Sequence, residues 1–134
     1  FRGWYKYTPG AKFIDGTGAT KPAEVVERPE ITDECAIQAV LYEAKDAEGN
    51  EVILTGHDIN TSAYRVAAAV LADGTAKAAY TYFDIPFTYV NGKTYEAGKE
   101  YKLAIVCSSS KEGDSFKGAG GSTLWIDELE IIGE

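Results

Sequence analysis

The chain has 134 residues and carries 21 Asp and Glu against 13 Lys and Arg, a formal charge of −8. That length suits one domain with its own core, and no run approaches the roughly 20 apolar residues of a membrane span. An acidic surface is the wrong sign for nucleic acid or anionic lipid, so a single domain over 1–134 is expected, with no nucleic-acid partner and no membrane insertion.

Turn signals punctuate the sequence throughout: TPG, DGTG, AEGN, DGT, NG, EAG, EGD and GAGG. Short runs of β-branched and aromatic residues lie between them, the pattern of an all-β sandwich or barrel. Strands are expected near 4–8, 35–44, 51–55, 64–71, 78–85, 87–90, 101–108 and 123–132.

FRGWYKYTPG opens inside the first of these, so the chain reads as the C-terminal part of a longer precursor whose export signal lies upstream. Tyr5 and Tyr7 share one face of that strand, Trp4 and Lys6 the other. In ECAIQAVLYEA, Cys35, Ile37, Ala39 and Leu41 alternate with Gln38, Val40 and Tyr42. The run TSAYRVAAAVLADG also fits a helix, capped by Thr61 or Ser62 and ended by Gly74. A strand is preferred because it pairs well. With Gly74-Thr75 as a two-residue hairpin turn, Ala69 faces Tyr80, Ala67 faces Tyr82 and Arg65 faces Asp84, while Tyr64, Val66, Ala68 and Val70 meet Ala79, Thr81, Phe83 and Ile85. Pro86 interrupts the next ladder. In KLAIVCS, Leu103, Ile105 and Cys107 fall on one face. On the last strand Trp125 and Asp127 oppose Leu124 and Ile126, and would join the N-terminal aromatics if first and last strands pair.

Cys35 and Cys107 are the only cysteines, each beside an apolar run, and are expected as buried thiols rather than a disulfide. One histidine and no CxxC argue against a Cys/His zinc site.

The chemistry most in view is sugar binding. The C–H face of a pyranose packs on an aromatic ring while polar neighbours hold the hydroxyls. Tyr80 and Tyr82, with Arg65, Asp84 and Gln38, are the expected ligand-binding set; the plainer alternative is that tyrosines serve β-propensity on an exposed strand. No catalytic residues are assigned. His57 beside Asp58 is half a triad at most, the serines at 108, 109, 110, 115 and 122 lack a GxSxG elbow, and GAGG lacks the strand–helix setting of a dinucleotide loop. No cofactor is expected. Asp114 and Asp127 are weak candidates for a structural Ca²⁺, with Asp114 more ordinarily serving its own turn.

GWYKYTPG at the start and SSSKEGDSFKGAGGSTLWIDELEI at the end, with ITDECAIQAVLYEA and FDIPFTY between, resemble the putative carbohydrate metabolism domain of Bacteroides-type surface proteins. The likeness covers nearly the whole chain, and the closing motif is its most specific part. It implies a jelly-roll β-sandwich of two antiparallel sheets, similar to carbohydrate-binding modules, in a secreted or outer-surface bacterial lipoprotein with another domain upstream. An Asp placed like Asp127 often helps hold Ca²⁺ in comparable jelly rolls, and no catalytic set comes with the family. The closing loop is then a structural crossover. Gly118, Gly120 and Gly121 permit positive φ, Phe116 pins the loop, and a bulge at Asp127-Glu128 shifts parity so that Leu124, Ile126, Leu129 and Ile131 all point inward.

The expected function is a non-catalytic carbohydrate-binding accessory module, with a glycan and the upstream domain as partners. The alternative is a structural or adhesive domain packing on that upstream domain or another subunit. A glycoside hydrolase is the third reading; it needs two carboxylates facing across a cleft.

Overall fold

The computed structural model describes residues 1–133, and these form ten strands and two short 3-10 turns. The strands are β1 (Arg2–Thr8), β2 (Phe13–Asp15), β3 (Val26–Glu27), β4 (Ala36–Glu43), β5 (Arg65–Val70), β6 (Lys77–Asp84), β7 (Thr88–Tyr89), β8 (Tyr101–Ser108), β9 (Lys117–Ala119) and β10 (Thr123–Glu130). They pair antiparallel in three sheets, ordered β10-β1-β6, β7-β5-β4-β8 and, smaller, β3-β2-β9. The expected all-β sandwich of antiparallel sheets is what forms.

Period two builds the core between the larger sheets. Tyr5 and Tyr7 of β1, Phe83 of β6, Ile37 and Ala39 of β4 and Ala69 of β5 form one buried cluster with Cys35, and Leu124 and Ile126 of β10 pack against it. The two core tyrosines still satisfy their hydroxyls, donating to Asp73 O at 2.9 Å and Ser109 O at 2.7 Å. A buried O–H left unpaired would cost about 1–3 kcal/mol, a large part of what the ring's burial contributes.

Residues 65–70 are strand, not helix, but the expected hairpin to β6 does not form. β5 lies between β4 and β7, whereas β6 pairs with β1 in the opposite sheet. Ala69 faces Ala39 and Ala67 faces Leu41 and Tyr89, not Tyr80 and Tyr82. The chain crosses between sheets at Gly74. Cys35 N donates to Gly74 O at 2.9 Å, and a Cβ at Gly74 would stand 2.1 Å from Cys35 O. Glycine is there for close backbone approach rather than for a hairpin turn. Asp73 fastens the same corner, accepting from Thr75 N, Thr75 Oγ1 and Lys77 Nζ. Those bonds, with the Thr75 hydroxyl first, hold its carboxyl down at about 2.

The run at 51–55 is not a strand: its only ladder contact is a single bridge between Lys45 and Glu51. The segment that follows it covers the outer face of the β7-β5-β4-β8 sheet instead, with Leu54 as the run's own contribution. There Ile59 is buried with Val40 and Ala68, and Leu54 packs alongside with Ala104 and Val106. This second cover explains the alanines of β5. Val66, Ala67, Ala68 and Ala69 are all buried, so both faces of the strand need small side chains.

Cys35 is buried and Cys107 exposed, both as free thiols, so the expectation of burial fails for Cys107. Desolvation raises the Cys35 thiol to about 11.

The closing loop holds together through a residue that sequence reading passed over. Asp33 is 2 % exposed. Its Oδ2 accepts from Ser110 Oγ at 2.6 Å, Ser122 Oγ at 2.7 Å and Ala119 N at 3.0 Å, and its Oδ1 accepts from Glu34 N. Of the loop glycines, only Gly121 has positive φ (86°), while Gly118 makes room for Ser110. Phe116 does not pin the loop by burial; it is 73 % exposed, with φ of 61°. The bulge on β10 is where it was expected. Trp4 faces Asp127 but Arg2 faces Glu130, and Glu128 takes φ of 52°. Leu129 then returns to the inner side beside Phe83 and Gly3.

Candidate functional site

Because Tyr5 and Tyr7 point into the core, Trp4 and Lys6 must point out. Tyr80 and Tyr82 do the same on one flank of β1, opposite Phe83, and Trp125 on the other, opposite Leu124 and Ile126. The first and last strands do pair, with Lys6 facing Trp125 and Trp4 facing Asp127. On the far side Trp4 faces Tyr82 and Arg2 faces Asp84. The outer face of the β10-β1-β6 sheet therefore gathers two aromatic sets that the sequence presented separately.

Trp4 and Tyr82 stand with ring centroids 5.3 Å apart and planes at 55°. Lys6 Nζ lies 4.5 Å from the Trp125 ring centroid, a cation–π contact. Arg2 Nε bonds Asp84 Oδ2 at 3.2 Å beside Tyr82. Exposure of the four rings runs from 38 % for Trp125 to 48 % for Tyr82. Half-exposed rings keep apolar area open to a ligand while their contacts with neighbours hold them in place. Arg2, Lys6, Asp84 and Asp127 place donors and acceptors around them.

The expected set is thus divided. Tyr80, Tyr82 and Asp84 share this face. Arg65 and Gln38 lie in the other sheet and both hold the covering loop, Arg65 Nη1 donating to Asn60 O and Gln38 Nε2 to Asn60 Oδ1, each at 2.7 Å. The predicted Arg65–Asp84 pair is replaced by Arg2–Asp84, because β5 and β6 are in different sheets. Trp4 and Trp125 were visible as aromatics but not placeable, since it takes the β1–β6 register to set Trp4 beside Tyr82 and the β1–β10 register to set Trp125 beside Lys6.

The remaining chemical candidates have local tasks. Asp58 accepts from Thr55 N at 2.6 Å and closes its own turn. Ser110 and Ser122 serve Asp33. Asp114 sits in a 3-10 turn without a side-chain cap, and Asp127 lies on β10, where its Oδ1 accepts from Glu128 N. Among the described residues, no group of three or more His, Cys, Asp or Glu is placed to hold a metal ion. A cleft of about 600 Å³ opens beside the small sheet, lined by Ile14, Pro22, Val25 and Phe116 with Lys21 and Lys117.

Two solved structures are similar to the chain. One, named a putative glycoside hydrolase from Bacteroides thetaiotaomicron, is 38 % identical with a TM-score of 0.80; the match covers 98 % of this chain and 36 % of that one. The other, named a putative glycoside hydrolase from Bacteroides vulgatus, is 36 % identical with a TM-score of 0.75, over 98 % of this chain and 50 % of that one. The chain therefore spans half or less of the length of these relatives. Among curated proteins no match was found. Over residues 1–132 the sequence fits one family model, and the chain belongs to that family, the "Putative carbohydrate metabolism domain".

Proposed function

We propose that this domain is a non-catalytic carbohydrate-binding module and that the outer face of the β10-β1-β6 sheet is its contact surface. One observation carries the reading: Trp4, Tyr80, Tyr82 and Trp125 are brought from three strands to one solvent-facing surface, edged by Arg2, Lys6, Asp84 and Asp127. Pyranose rings stack on the aromatics, and the charged groups orient the hydroxyls. Membership of a carbohydrate-related family and likeness to proteins named glycoside hydrolases are consistent with a binding role beside a hydrolytic one. Such a module acts in a secreted or cell-surface protein, where polysaccharide is met.

A second reading has a specific support. This chain spans half or less of the relatives' length, so the same rings can serve as an interface for another domain, and aromatics and Arg are enriched at interfaces too. A glycan array probed with the chain and with Tyr82→Ala separates the two. Retention of a defined glycan, lost in the variant, supports the binding module. A folded chain that retains no glycan on a broad array contradicts it and favours the interface.

A further inference from the structure

Four strands form the margins of the two larger sheets: β10 and β6 in one, β7 and β8 in the other. A margin presents N–H and C=O groups that no strand pairs, and proteins blunt it with shortness, charge, proline or a bulge. β7 is two residues long. β10 carries its bulge and Asp127, Glu128 and Glu130. β6 begins with Lys77, ends with Asp84 and is followed by Pro86. β8 has none of these devices. Its eight residues, YKLAIVCS, contain no proline, no glycine and one charge, Lys102, which is engaged with Glu51 and Val52 O.

The inward row of β8 is also uncovered. Leu103 is 43 % and Ile105 41 % exposed, and Cys107 is exposed beside them. The facing sheet has three strands against four, and these side chains keep their exposure beneath it. Leu103 opens on an apolar groove with Leu41, Ala67, Phe87 and Ile131.

We infer that β8 is a self-pairing edge, and that a second copy of this chain adds its own β8 antiparallel to make one continuous sheet across the dimer. The strand's pattern is what favours a second copy over an unrelated segment. A twofold axis through Ile105, perpendicular to the sheet, keeps inward residues opposite inward residues, as period two demands. Ile105 then meets Ile105 of the second copy, Leu103 meets the second copy's Cys107, Ala104 its Val106, and Lys102 its Ser108. An isologous interface must be complementary to itself. This one pairs apolar with apolar at every central position and sets no like charges together.

The test combines sedimentation velocity over a range of concentrations with a register-specific crosslink. The 134-residue chain is compared with Ile105→Lys, and with Ile105→Cys in a Cys107→Ser background. Opposed strand residues lie about 4.5–5.5 Å apart at Cα, within disulfide reach. The expected result is a dimer that grows with concentration, is lost in Ile105→Lys, and becomes covalent on oxidation of the Ile105→Cys, Cys107→Ser variant. Should the lysine variant fail to fold, the crosslink decides alone, because cysteine at an exposed strand position is a mild change. A chain that stays monomeric and does not crosslink overturns the proposal and leaves the edge to a segment of another protein. A dimer that forms no crosslink through this position overturns it as well, since the copies then meet elsewhere.

Discussion

The two outer faces of the sandwich have been treated in opposite ways. Over the β7-β5-β4-β8 sheet the chain folds back on itself: Ile59 and Leu54 cover Val40 and Ala68, and Gln38 and Arg65 tie the cover down at Asn60. Over the β10-β1-β6 sheet nothing comparable lies among the described residues, and the strands there carry Trp4, Tyr80, Tyr82 and Trp125. Side-chain size follows the cover. On β5, where the chain packs on both sides of the strand, the buried residues are Ala and Val; where solvent takes one side of β1, β6 and β10 they are large rings with charged neighbours. An all-β domain can afford one open aromatic face if its strands are anchored from beneath, and Tyr5, Tyr7 and Phe83 do that here.

Breaking the cover should have the largest effect on the fold. Ile59→Ala removes a buried side chain over Val40 and Ala68 and should cost about 2–3 kcal/mol, read as a lower urea midpoint at unchanged slope. Glycan affinity should be unchanged once the variant is folded. The open face should give the reverse result. Trp4→Ala should cost under about 1 kcal/mol of stability, since the ring is half-solvated, yet weaken glycan binding about tenfold, ~1.4 kcal/mol, for one stacking surface. Calorimetric titration of a bound oligosaccharide measures the second number and thermal unfolding the first.

A smaller effect belongs to the corner that separates the faces. Asp73 is held down at about 2 by Thr75 and Lys77, below the 3.8 it starts from. A carboxyl lowered by folding stabilises the fold above its unfolded value, and that contribution fades as pH falls from about 4 through about 2. Stability of the wild-type chain should therefore fall more steeply between pH 5 and pH 2 than that of Asp73→Asn, compared by urea midpoints. The smallest effect is expected from Gln38→Ala and Arg65→Ala, which should shift glycan affinity less than about twofold because they lie in the other sheet. A large loss in either would move the binding surface to the covered face.

Much of this was legible from residues alone. Alternation in ECAIQAVLYEA and YTYFDIPF reports which side of a strand is core, since period two is local. The bulge at Asp127-Glu128 was visible because apolar residues at 124, 126, 129 and 131 change parity. Sheet membership was not visible. The alanines of β5 suit small neighbours equally well whether those neighbours are tyrosines across a hairpin or a loop packed overhead, and only long-range pairing separates the cases. For the same reason two of the five expected site residues were misplaced. Tyr80, Tyr82 and Asp84 kept their common face because it is set within one strand, whereas Arg65 and Gln38 depended on a register that did not form. Asp33 was passed over because its partners Ser110, Ala119 and Ser122 lie 77 to 89 residues away. The two- and three-residue strands β2, β3 and β9 are too short to show a period.

The only two tryptophans of the chain, Trp4 and Trp125, both stand on the open face, so their emission reports on that surface and no other. The most direct test is to titrate oligosaccharides over the chain while following tryptophan fluorescence, with Tyr82→Ala in parallel. A saturable change in emission with a defined glycan, weakened in the variant, is the predicted result. Glycan binding that leaves the emission unmoved, or no change with any glycan offered to a folded chain, would contradict an aromatic sugar-binding face.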